Sequence, residues 1–352
     1  MMTRNQIFSD TLLSLKRTQG DRYADELIDN YFTDNTKKQV LRHWLNQLKK
    51  NTDLLNIPTE FKDYIFIAKA NKLPEWAKPK QMELGAAFFA RNNDLIMNLL
   101  ALLSLPYCYA AADGALVLSK TSRMRNDVGV RLYETAEFVW EVMAPNAFTN
   151  KGKAFASILK VRLMHAAARH YILKSDGWNL ALGYPVNQED MAGTNLSFSL
   201  MVIRGLRKFG ISVSYEEQLA FMHLWNVIGY LLGLEEDLLP NSGKDAFNLE
   251  EAIRVRQFKA SDHGMDLTSS LLKYFTNINS NSGLSNQEIP QLMRYLLGKE
   301  VADILGLPNE QYPANKVRLM RNINLIKHFT IFDKPEPAYQ KGFRKFEKEK
   351  AK

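Results

Sequence analysis

Alternation of period two, the mark of a half-buried strand, is scarce along this chain, whereas apolar positions at helical spacing recur behind capping residues. Ser214 followed by Glu217 is a capping box, and the apolar run behind it reaches Gly233. Ser285 and Glu288 repeat the device. Asn187 is placed to cap a helix running to about residue 208, with Gly210 just past its end, and Asn248 to cap the next one ahead of EEAIRVRQF. These signals predict an all-α single globular domain. Its expected parts are an N-terminal helical cap (1–80), more polar than the central region, a core (81–275), and C-terminal helices with a basic tail (276–352).

The most apolar stretch, residues 95–112, is interrupted by Asn98 and Pro106 and ended by Asp113. A membrane span needs about 20 mainly apolar residues without such breaks. A buried helix kinked at Pro106 is expected instead. The start of the chain has no apolar core behind a basic segment, so a cytoplasmic protein is expected. One cysteine, Cys108, excludes a disulfide scaffold and a covalently attached c-type haem. The formal charge is +8, but residues 341–352 carry six basic and two acidic side chains, half of the surplus. A nucleic-acid partner would call for a basic folded face, so none is expected; the tail is expected to be solvated and frayed.

One helix concentrates the chemistry. Residues 152–173 read GKAFASILKVRLMHAAARHYIL, with Thr149 or Asn150 in place to cap the start. At about 100° per residue, Arg162, His165 and Arg169 fall within about 60° of one another, opposite Lys153, Ser157 and Lys160. Three polar, potentially cationic side chains thus occupy what should be the buried face, and burial demands an anionic counterpart. A salt-bridge network fed by Glu134, Glu137 or Asp127 would supply it; so would a ligand's carboxylates. The small residues Ala166–Ala168 would let a flat macrocycle approach, and histidine is a common axial ligand of haem. Ala runs are also good helix formers.

A second cluster, Arg131, Glu134 and Thr135, lies on RLYETAEF, where a guanidinium, a carboxylate and a hydroxyl can hold oxygen or move a proton. A surface helix with an ordinary Arg–Glu contact explains it equally well. Other chemistries lack support. There is no Glu-x-x-His pair for a di-iron bundle, no His-Glu-x-x-His, and no Gly-rich phosphate loop.

RLYET at 131–135, VRLMHAAARH at 161–170, GYPVNQEDM at 183–191, FSLMVIRGLRKFG at 198–210 and WNVIGYLLGLEEDLLP at 225–240 together resemble the rubber-oxygenase (latex clearing protein) family, with its MpaB-like oxygenase catalytic domain. The resemblance covers roughly residues 80–275. It implies a helical fold around one haem b, with His165 as the metal's axial ligand, Arg162 and Arg169 beside it, and Arg131 and Thr135 lining the pocket. It implies dioxygen as co-substrate and oxidative cleavage or oxygenation of a C=C bond. Where latex clearing proteins place a lysine just before the threonine, this chain has Glu134, which can act as a base or hold a water. The expected substrate is a small hydrophobic isoprenoid or lipid. The alternatives are a haem-binding protein without oxygenase turnover, such as a sensor or peroxidase-like scavenger, and a metal-free helical protein.

Overall fold

The computed structural model describes residues 8–121, 128–175, 177–278, 285–319 and 334–350. In chain order its α-helices are α1 (Asp10–Arg17), α2 (Arg22–Phe32), α3 (Asn35–Gln47), α4 (Ile65–Ala68), α5 (Pro79–Leu99), α6 (Leu105–Tyr109), α7 (Ala112–Lys120), α8 (Val128–Val142), α9 (Ala154–Lys174), α10 (Gln188–Phe198), α11 (Leu200–Lys208), α12 (Tyr215–Leu231), α13 (Gly243–Gln257), α14 (Asp262–Ile278), α15 (Glu288–Leu297), α16 (Lys299–Ile304) and α17 (Pro335–Lys350). Among the described residues the β-type pairing consists of an isolated bridge between Ala111 and Phe258. The fold is all-α, as the periodicity predicts.

Local chemistry sets several of these ends. Both halves of the Ser214/Glu217 capping box are made at the start of α12. At α15 only half is made: the Glu288 carboxylate accepts from the Ser285 N–H, while the capping position, Gln287, makes no side-chain cap. Asn187 accepts from the Asp190 N–H and starts α10. The single helix expected out to residue 208 is broken at Ser199, whose hydroxyl donates to the Asn195 carbonyl at 2.7 Å, a local bond that competes with the helix ladder. Gly210 follows at φ +83°, where an L side chain would be strained. The cap of α13 is Ser242 rather than Asn248: its hydroxyl takes the Asp245 N–H, so the helix begins before the stretch whose apolar spacing marked it.

The apolar stretch 95–112 lies at the centre. It runs from α5 through a π-helical turn, Leu100–Ser104, into α6. Pro106 has no N–H for the carbonyl one turn back, and the wider turn absorbs the mismatch. No helix among the described residues is long and apolar enough to cross a membrane. Around this stretch, α5 packs along α12 and α17.

The C-terminal tail departs from expectation. Residues 341–350 belong to α17, which is docked rather than frayed. Tyr339 and Phe346 are buried, and the Tyr339 hydroxyl donates to the Trp140 carbonyl at 2.8 Å. Gly342 permits the approach, because a Cβ there would sit 2.3 Å from Asn93 Oδ1. The aromatic stripe at 339, 343 and 346 has helical spacing but is interleaved with the basic side chains that dominate a charge reading.

Helices α2 and α3, with Phe61 from the turns beyond them, form a second apolar cluster against α9: Leu27, Ile28, Leu41, Trp44 and Phe61 pack on Phe155, Leu159, Leu163 and Ala166. The opposite side of α9 reaches the central core through Ile158. Neither Thr149 nor Asn150 caps α9. Asn51, about a hundred residues earlier, does so: its Oδ1 accepts from the Phe155 and Ala156 N–H groups at 2.9 and 3.4 Å, and its Nδ2 donates to the Ala147 and Thr149 carbonyls.

Candidate functional site

The buried face of α9 meets the carboxylates of α2. Asp21, at the α2 cap, and Asp25 and Asp29 within it are spaced four apart, so they line one side of that helix. Arg162 donates Nε to Asp21 Oδ2 at 2.6 Å and Nη2 to Asp21 Oδ1 at 3.0 Å, and its guanidinium lies 4.9 Å from the centre of the Phe66 ring. Arg169 donates Nε to Asp25 Oδ1 at 2.6 Å and Nη1 to the Val186 carbonyl at 3.1 Å. His170 Nδ1 lies 2.6 Å from Asp29 Oδ1. The counter-charges therefore come from the N-terminal helix, not from the sources the sequence suggested. Glu137 pairs instead with Lys350 at 2.6 Å, Glu134 is exposed, and Asp127 lies outside the described residues.

These pairs account for the two arginines. They leave His165 over. Among the described residues His165 makes no hydrogen bond, and its Nδ1 is closed off from solvent without a partner, whereas Nε2 is not among the enclosed atoms. Burial, reinforced by the nearby Arg169 and Arg131 and opposed by Asp21, pushes its pKa down to about 4. At neutral pH His165 is a neutral imidazole, the form that ligates metals.

His165 on α9, Cys108 on α6 and Asp190 on α10 are each half-buried, set deep among neighbouring atoms yet keeping some accessible surface. Arg131 of α8, half-buried, bears electrostatically on both His165 and Tyr109. Thr135, one turn further along α8, donates its hydroxyl to the Arg131 carbonyl at 2.9 Å, so its lone pairs are left to accept. Glu134, one turn after Arg131 on α8, is exposed, while Arg131 and Thr135 are half-buried. Burial pushes the Cys108 thiol up, so it is not a thiolate nucleophile. On the α10 side, Asp190 accepts from Arg17 Nη1 at 2.9 Å and from Asn187 Nδ2 at 2.8 Å; burial raises its pKa in spite of Arg17.

The donor set narrows what this site can hold. Among the described residues no three His, Cys, Asp or Glu side chains converge to chelate a metal ion. One neutral imidazole with a free nitrogen suits a metal that brings its own equatorial ligands, as a porphyrin iron does. Ala167 and Ala168, half-buried beside His165, add no bulk. The residues present fit a haem. Asp21, Asp25 and Asp29 were the functional partners hidden from sequence reading; their four-residue spacing in DRYADELID was the available signal.

The class of the chain is given by its sequence family, and its all-α fold agrees with it. The chain belongs to the family described as ER-bound oxygenase mpaB/B'/Rubber oxygenase, catalytic domain, which residues 92–327 match. It is 26% identical over 274 residues to the rubber oxygenase of Streptomyces sp. (strain K30), covering 76% of this chain and 65% of that protein, so it spans just under two thirds of that relative. It shares its fold with latex clearing protein in the closed state, at a TM-score of 0.78 and 22% identity, over 93% of this chain and 90% of the other.

Proposed function

We propose that this chain is a haem b-dependent oxygenase that oxidatively cleaves, or otherwise oxygenates, a C=C bond of a small hydrophobic isoprenoid or lipid. The observation that carries the reading is His165: a buried, neutral imidazole on the central helix, left over when Arg162 and Arg169 have found their carboxylates. Family membership supports the oxygenase class, and the name of the Streptomyces relative supports an isoprenoid-type olefin as substrate.

His165 Nε2 is the axial donor of this reading. Haem b, when bound, supplies the redox-active iron for dioxygen chemistry. The protein supplies the rest. Arg162 and Arg169, held by Asp21 and Asp25, fix the pitch of α9 against α2 and so the aim of the imidazole. Arg131 places a cation near His165 and would stabilise negative charge at the site. The Thr135 hydroxyl, anchored on the Arg131 carbonyl, accepts a hydrogen bond and so orients a polar group of the substrate. Cleavage in this class is balanced without an external reductant: the C=C bond breaks, and each carbon takes one oxygen atom of dioxygen to become a carbonyl.

Haem-loaded protein incubated with oxygen and a panel of isoprenoids tests the proposal. Oxygen uptake matched by carbonyl products supports it. A loaded, reducible protein that consumes no oxygen with any olefin supports haem binding without turnover, the reading favoured by Glu134, which stands beside Thr135 where latex clearing proteins have a lysine and would ligate the site differently.

A further inference from the structure

Arg169 is the most enclosed cation of the site, with 1% of its surface exposed. Little water is left to screen its charge, and a guanidinium does not give up its proton. It stands one turn after His165 on the same face. Its fork is divided between Asp25, through Nε, and the Val186 carbonyl, through Nη1, while Nη2 is enclosed without a partner. Val186 itself has φ +51°, a costly conformation for a β-branched residue, and Arg169 is what grips its carbonyl. Gly20 closes over the pair: a Cβ there would lie 2.8 Å from Asp25 Oδ2 and 3.0 Å from Arg169 Cδ. The guanidinium is therefore clamped from three sides, and Asp25 is the carboxylate that balances its charge.

The remaining charges about His165 are accounted for. Arg162 has its own two-pronged partner in Asp21, and Arg131, on α8, bears electrostatically on His165. We propose that Asp25 is a positioning residue for the haem iron: by neutralising Arg169 it lowers the positive potential at His165 and favours the oxidised state of an iron held there. This rests on the haem reading of the site. Charge placed near an axial histidine is one of the levers by which a protein sets a haem potential.

The test is a spectroelectrochemical titration of the haem-loaded protein and its Asp25→Asn variant. Asparagine keeps the Oδ1 acceptor for Arg169 and removes only the charge. The expected result is unchanged haem content, a midpoint potential shifted positive, and a ferric-to-ferrous haem affinity ratio about three- to tenfold lower, the effect of one charge acting over about 12–25 Å through an effective dielectric of about 20. Asp25→Glu should restore the wild-type value, and Asp94→Asn, at the exposed pair with Lys345, should not move it. An unchanged potential in haem-replete Asp25→Asn overturns the proposal. If that variant does not fold, Asp25→Asn combined with Arg169→Gln removes both charges and should return the potential toward wild type; a double variant displaced as far as one uncompensated charge would displace it overturns the proposal as well. A wild-type protein that binds no haem removes the reading beneath it, an outcome distinct from a loaded variant that does not shift.

Discussion

Arg162 and Asp21 stand 141 residues apart in the chain and form a two-pronged ion pair, Nε to Oδ2 at 2.6 Å and Nη2 to Oδ1 at 3.0 Å, with Asp21 only 4% exposed. The pair fastens the N-terminal helix α2 to the helix that carries His165. Asp21 also caps α2 through the Ala24 N–H. Asp21→Ala removes both roles and leaves a largely buried guanidinium unpaired, so it should cost about 3–5 kcal/mol in denaturant unfolding. Asp21→Asn keeps the cap and should cost clearly less. A loss under about 1 kcal/mol for the alanine variant would show that α2 is not held by this pair.

Stability of the haem-free chain should depend on His165 and pH. The folded-state pKa, pushed down to about 4, lies below the ordinary 6.5, so the unfolded chain takes up the proton first. Stability is then complete above about pH 6.5 and falls as the pH drops toward 4, by about 3 kcal/mol in all. His165→Leu, which also removes an enclosed nitrogen without a partner, should flatten that part of the profile. Parallel profiles for the two proteins between pH 6.5 and 4 would contradict a buried neutral imidazole.

Thr135 separates haem binding from turnover. Thr135→Val keeps the shape and removes the hydroxyl, and should retain the haem spectrum while lowering the rate about tenfold, as the loss of one orienting hydrogen bond of about 1.4 kcal/mol would. Thr135→Ser should recover most of the loss. Full activity in the valine variant would take Thr135 out of the mechanism.

The remote cap of α9 is open to the same kind of measurement. Asn51→Ala strips two acceptor bonds from the helix N-terminus and two donor bonds to carbonyls, and should cost about 2–3 kcal/mol. Asn51→Asp keeps the cap but loses the donors, and should fall between the two. Equal stability of wild type and alanine variant would contradict the assignment.

The range of each interaction decides how legible it was in the sequence. Caps that act within four residues, as at Ser214 and Asn187, were readable, because the partner lies in the same window. The cap of α9 was not, since Asn51 arrives from another part of the chain. The face of α9 was readable from 100° geometry, and with it Arg162, His165 and Arg169 as a buried cationic group. The carboxylates opposite were not, because one-dimensional spacing favours nearby acids such as Glu134 and Glu137 over Asp21 and Asp25. The docked α17 was missed for a different reason: its aromatic stripe shares the helix with five basic side chains, and charge obscured period.

The most direct test of the central claim is an absorption spectrum with a pyridine haemochrome assay on protein purified from haem-replete cells, run beside His165→Ala. A Soret band and about one haem b per chain are expected, both lost in the variant. A colourless protein that also refuses added haemin, or a variant that keeps the wild-type spectrum, would contradict the assignment of His165 as the axial ligand of a haem.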